Sequence, residues 1–267
     1  MPATQRASKS NDRASRMTEE TAPDRTVLGV TGADALTFLQ GMLSNDVLPL
    51  GNAPGIVWAA LLTPQGKYLA DFFVVKTPDA LLIDLKSSIA DATLRRLNMY
   101  RLRADVQITR TEIAVTRGLG PAPDGAYEDP RHAALGWRAY GRAGAPPSID
   151  WDAIRVTHTI PETGIELIAD DSYLLESGFE RLHGVDFRKG CYVGQEVTAR
   201  MKHKTDLRKG LVRVRIHGAA PVGTPILSGD KASGTLFTQS GDYAIAYLRF
   251  DRLDGPLTAG TAQITPE

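Results

Sequence analysis

The first apolar cluster is TVLGV, residues 26–30, a strand-like run. Leu36, Leu39 and Leu43 then recur at helical spacing, with Phe38 and Met42 beside them. Thr31, three residues before Asp34, gives that helix a capping-box-like start, and Asn45 a left-handed stop. IVWAALL (56–62) and KYLADFFVV (67–75) flank TPQG, whose Pro64 and Gly66 suit a tight turn, so the pair predicts a hairpin. ALLIDL (80–85) reads as a third strand. Ser87 or Ser88 can cap a following helix that carries Ile89, Leu97 and Tyr100, with Arg95, Arg96, Arg101 and Arg103 toward its end, where cations suit the dipole. ADVQIT (104–109) alternates as a strand and closes a mixed unit.

A second unit opens at EIAVTR (112–117). It holds the Pro/Gly loop 118–130, the strand ALGWRAY (134–140), the loop 141–148 and a helix from Ile149 to about His158. From Asp206 the pattern becomes short strands divided by Gly and Pro, as in a small all-β module, and LTAGTAQITPE reads as a last strand and a loose tail. The expected fold class is α+β: two mixed α+β domains, 23–110 and 111–205, then a β-barrel domain at 206–267. Residues 1–22 are expected to be a disordered tail.

Composition adds bounds. At 267 residues, 42% hydrophobic and 23% charged, the chain can bury a core. Its 31 basic and 31 acidic residues cancel, so the chain is neutral overall. No apolar run approaches the roughly 18 residues of a spanning helix, and no membrane partner is expected. The single cysteine, Cys191, excludes an internal disulfide framework and fits a reducing compartment. Residues 1–17 carry Arg6, Lys9, Arg13 and Arg16 against Asp12 with no apolar stretch, which excludes a secretory signal. A transit peptide, a plain tail and a true start at Met17 all remain compatible.

The densest chemistry lies at 184–200, GVDFRKGCYVGQEVTAR. Arg188 and Lys189 precede Cys191, and nearby cations favour a thiolate. Gly190 and Gly194 permit tight turning or close approach of a ligand. Tyr192 offers a ring face, and Gln195 and Glu196 offer an amide and a carboxylate suited to the donor-rich edge of a heterocycle. A glycine-rich turn with a packed, inert cysteine is the other reading of the same residues.

The string KGCYVGQE (189–196) resembles the signature of the YgfZ family of folate-binding proteins, relatives of the glycine-cleavage aminomethyltransferase (T-protein). LTFLQGMLSNDV (36–47), TPQGKYLADFFV (63–74), IPETGIEL (160–167) and LLESGFERLHG (174–184) are similar to further stretches of the family. ARMKHKTDLRKGLV (199–212) is similar to the branch that supports iron–sulfur cluster assembly. The resemblance implies a three-domain cloverleaf around a central channel holding tetrahydrofolate. It implies a role in maturing or repairing iron–sulfur enzymes, one of which modifies tRNA, with those enzymes or cluster assembly proteins as partners. Cys191, with Lys189 beside it, is the residue implied to matter most. Asp71, Tyr192, Gln195, Glu196 and Arg200 are the expected cofactor-binding residues. The expected location is the cytoplasm of a bacterium or the mitochondrial matrix of a eukaryote.

The alternative is a tetrahydrofolate-dependent aminomethyltransferase. Against it, the hairpin has Ala70-Asp71 where true aminomethyltransferases have adjacent aspartates. Before Glu176 the chain reads Tyr173-Leu174-Leu175, where the family often has proline. From Arg188 to Arg215 nine cations face two acids. That excess suggests folate carboxylates, then nucleic acid, or simply a solvated face, and no RNA-binding signature makes a direct nucleic-acid contact expected. The five histidines lack metal-ligand spacing, so no metal is expected. Trp58, Trp137 and Trp151 fit core packing better than stacking on a pterin.

Overall fold

A computed structural model describes residues 19–203 and 206–267. The terminal segment read as a tail or transit peptide, with the alternative start at Met17, lies outside these residues up to 18.

The chain begins with β1 (Glu19–Thr21) and β2 (Arg25–Thr31), followed by α1 (Ala35–Met42), β3 (Gly55–Leu62), β4 (Tyr68–Lys76), β5 (Leu81–Lys86), α2 (Ser87–Arg101) and β6 (Gln107–Arg110). Strands β2–β6 form one antiparallel sheet in the order β3-β4-β5-β2-β6. One face packs Leu28, Phe72, Ile83, Leu39 and Leu97 under the two helices. The other packs Val27, Trp58, Phe73, Phe179 and Leu182 against the second domain. Burial of both faces explains why β4 reads as a continuous apolar run rather than an alternating one.

The hairpin and third strand stand where the sequence placed them, but the helix ends differ. Thr31 finishes β2, and α1 starts after Asp34, whose carboxylate accepts from the Asp105 backbone N–H instead of capping its own helix. Leu43, in extended conformation, ends α1, so Asn45 has no left-handed role there. Ser87 bonds the Thr26 hydroxyl and is helical itself.

The second sheet is built from β1, β7 (Val115–Gly118), β8 (Tyr127–Glu128) and β9 (Trp137–Tyr140), in the order β1-β7-β9-β8. β1 was expected as tail. It pairs with β7 about a hundred positions downstream, Glu20 opposite Arg117, and Glu20 accepts from Ile149 N–H at 2.8 Å and from Trp151 Nε1 at 2.5 Å. Next comes α3 (Trp151–His158), capped by Asp150 on the Ala153 N–H. A long irregular stretch leads to α4 (Gln195–His203).

The third unit runs β10 (Lys209–His217), β11 (Pro225–Ser228), β12 (Lys231–Ser240), β13 (Tyr243–Arg249), β14 (Leu257–Ala259) and β15 (Ala262–Pro266). These six strands close into a barrel as β15 returns to β10, which leaves no open edge. The expected last strand is β15, which closes the barrel and runs to Pro266, opposite Val214, where a loose tail was expected.

Between the first two domains lies a web of buried ion pairs absent from any local sequence pattern. Asp84, fully buried, takes Arg25 at 2.6 Å and Arg138 at 3.0 Å. Asp129 takes Arg131 at 2.8 Å and Arg138 at 3.2 Å. The cavity these side chains enclose holds only about 20 Å³, room for one water.

Candidate functional site

The signature segment is mounted on the β3–β4 hairpin. Gly66 in that turn and Gly194 in the signature both have positive φ, +75° and +84°. A Cβ on Gly66 would stand 2.7 Å from Val197 of α4, and one on Gly194 would stand 2.5 Å from the Thr63 carbonyl. Only glycine fits either position, so the hairpin turn seats the start of α4.

Upstream, the segment is tied to the loop after α1. Ser44 Oγ donates to the Gly184 carbonyl at 2.6 Å and accepts from the Ala60 N–H at 2.8 Å. Asn45 Nδ2 donates to the carbonyls of Trp58 and His183. The strongest tie is Lys189. Its side chain is buried, and Nζ donates to the carbonyls of Gln40 (2.7 Å), Leu43 and Asn45 (3.2 Å) while lying 4.8 Å from the Tyr192 ring centroid. Burial lowers its pKa to about 8, against the pull of Asp46 and Asp186.

The ammonium of Lys189 is turned to the end of α1: its three protons are used on backbone carbonyls there, where a cation also suits the helix dipole. Its neighbour Arg188 extends into solvent, 95% exposed. Cys191 is a free thiol at the surface, between exposed Gly190 and buried Tyr192. It is neither packed nor inert by enclosure.

Of the five residues expected to hold tetrahydrofolate, two are buried, one is half-buried and two are exposed. Asp71 is buried, and its carboxylate accepts from Trp58 Nε1 (2.8 Å), Tyr68 OH (2.7 Å) and Thr163 Oγ1 (2.5 Å). Burial, reinforced by the Asp71 charge, holds the Tyr68 phenol well above its ordinary pKa, so it stays a donor. Ala70, its neighbour, packs into the apolar core on the opposite face. Tyr192 is buried beneath Lys189, Gln195 is half-buried, and Glu196 and Arg200 are exposed on α4. An open groove of about 560 Å³ does lie near the segment, lined by Asn45, Ile56, Val57, His183, Phe187 and Arg188 among others, but by none of those five residues. Trp58 also borders this groove, but it is fully buried and stacked on Phe179 at 4.1 Å.

The basic excess also disperses. Lys202 pairs with Glu180, Lys209 lies 3.7 Å from Glu176, and Arg213 binds Glu267 at 2.5 Å. Sequence reasoning missed Ser44, Gln40 and Thr163 as supports of the site. The polar interruption LSND after an apolar helix was the visible signal.

Residues 208–267 match the family model described as the CAF17 C-terminal β-barrel domain. The closed six-stranded barrel is of that type. Over 234 residues the chain is 32% identical to a mitochondrial iron-sulfur cluster assembly factor IBA57 homolog of Mycosarcoma maydis, covering 76% of this chain and 57% of the fungal protein. It is 28% identical to the mouse iron-sulfur cluster assembly factor IBA57 (90% of this chain, 79% of that protein) and 29% identical to the human one (87% and 78%). Among solved structures, the glycine cleavage system aminomethyltransferase T of Bartonella henselae superposes with a TM-score of 0.70 over 94% of this chain and 84% of that one, at 12% identity. The expected T-protein-like fold is thus confirmed as a fold.

Proposed function

We propose that this chain is an accessory factor in the maturation or repair of iron–sulfur enzymes, and that it acts by presenting Cys191 as a ligand to a cluster in transit. The observation that carries the reading is an exposed thiol on a segment fixed from both sides, by the Lys189 clamp before it and the Gly66–Gly194 contact after it. The named roles of the relatives support the same direction. As iron binds, Sγ gives its proton to solvent and forms one iron–thiolate bond, with no change of oxidation state. A lone cysteine supplies one ligand, so a cluster assembly protein or the client enzyme must supply the others.

Tetrahydrofolate is not carried into this reading. Asp71 is buried with three hydrogen bonds, Tyr192 is buried, Glu196 and Arg200 are exposed on α4, and the enclosed interdomain cavity is water-sized. Saturable binding of tetrahydrofolate to the intact chain would bring it into the reading. The aminomethyltransferase alternative is disfavoured because Ala70 carries no carboxylate and Asp71 is buried among three hydrogen-bond donors.

The test is complementation in cells lacking the native chain. Cys191→Ser should fold with stability within about 0.5 kcal/mol of wild type, because the site is exposed, yet fail to restore the activity of an iron–sulfur enzyme. Full restoration by Cys191→Ser would end the proposal.

A further inference from the structure

Among the described residues, the two most exposed large apolar side chains are Leu102, 88% exposed, and Met99, 72% exposed. Met99 lies in the last turn of α2 and Leu102 is the residue that ends it. The inner face of this helix is accounted for: Ala90 and Leu97 are buried, and Ile89, Leu94 and Tyr100 pack against the same core. The tip is not. Leu102 also occupies a backbone position with φ of +45°, where glycine would be at ease and leucine is not. An apolar residue is therefore held in an unfavourable conformation while contributing almost nothing to the core.

Cations surround the tip. Arg95 and Arg103 are exposed and Arg96 is half-buried, and none of the three makes an ion pair among the described residues. Arg101 is committed to the turn, donating to the Val106 carbonyl at 2.9 Å and to Gln107 Oε1 at 3.1 Å, which makes the tip stiff. The acids nearby are engaged: Asp91 with Arg110 at 2.6 Å, Asp34 and Asp105 with the backbone N–H groups of Asp105 and Ala33.

We infer that the α2 tip is a peripheral docking point for an anionic lipid surface, with Leu102 and Met99 entering the interface and Arg95, Arg96 and Arg103 meeting lipid phosphates. A protein partner fits less well. A convex tip of two apolar side chains is far smaller than the roughly 800 Å² per partner of a specific protein interface, whereas shallow insertion plus basic residues is what interfacial binding requires. The sequence-based expectation of no membrane partner rested on the lack of a spanning segment. No described helix is long and apolar enough to cross a bilayer, and a peripheral contact needs none.

Co-sedimentation of the full chain with phosphatidylcholine vesicles, with and without phosphatidylglycerol, tests this. Binding should require phosphatidylglycerol and weaken in high salt. Met99→Gln and Leu102→Gly should each lower the partition coefficient, together by ~tenfold or more. Leu102→Gly should at the same time keep or raise the thermal midpoint, because glycine relieves the positive φ, so lost binding cannot be lost folding. No binding by the wild type, or binding unchanged in Leu102→Gly, overturns the inference. Binding that soluble polyglutamate abolishes and the two apolar substitutions leave intact also overturns it, in favour of an acidic protein partner.

Discussion

Lys189 shows how far the role of a residue can lie from its neighbours in sequence. Read along the chain, it is a cation two positions before a thiol. In space its ammonium reaches the carbonyls of Gln40, Leu43 and Asn45, nearly 150 positions away. Lys189→Met keeps the stem but takes the donor from one buried and two part-buried carbonyls, and is expected to cost about 1–3 kcal/mol of stability. Because the segment would also loosen, alkylation of Cys191 should change rate in this variant, read by timed iodoacetamide labelling under native conditions. An unchanged rate and midpoint would mean the clamp holds nothing. The candidate site was picked out by KGCYVGQE, but the direction of each side chain was not legible: side-chain direction in an irregular segment is set by what packs against it, and nothing local foretold that Trp58, Tyr68 and Thr163 would surround Asp71.

At the level of elements, local pattern served where local forces decide. The TPQG hairpin and the Gly-divided barrel strands were readable because turn chemistry and alternation are short-range. Helix ends were not, since Asp34 and Ser87 spend their side chains on tertiary partners. One contact between elements has a pH signature. His158, at the end of α3, packs against His132 in a tilted pair with ring centroids 4.1 Å apart. Burial, then His132, Arg213 and Arg181, hold its pKa below the ordinary value. The folded protein therefore takes up this proton less readily than the unfolded chain. Stability from this contact is fully present above about pH 6.5 and is lost as pH falls below that, toward the depressed folded value. His158→Gln should flatten the pH dependence of the urea midpoint in that acid window. An identical slope in wild type and variant would assign the dependence to other groups.

The whole molecule is joined by polar contacts as much as by apolar ones. α3 packs on the barrel strand β12. There Arg155 donates to Glu166 at 2.8 Å and to Thr238 Oγ1 at 2.8 Å, and Thr238 in turn donates to Glu166 at 2.5 Å. Glu166 is fully buried, so removing its partner strands a charge. Arg155→Met should cost ~3–5 kcal/mol and split calorimetric unfolding into separate barrel and body transitions. A single transition at the wild-type temperature would show that the barrel is held elsewhere.

β1 has a consequence for how the molecule can be taken apart. The polypeptide enters through the second sheet, passes through the whole first domain, and returns to the second sheet at β7. The first two units are thus laced, not strung in series. A protease nicking the connection at 111–114 would leave both fragments attached through β1 as well as through the shared core and the buried ion pairs, and a further cut between β1 and β2 would remove only the β1 tie.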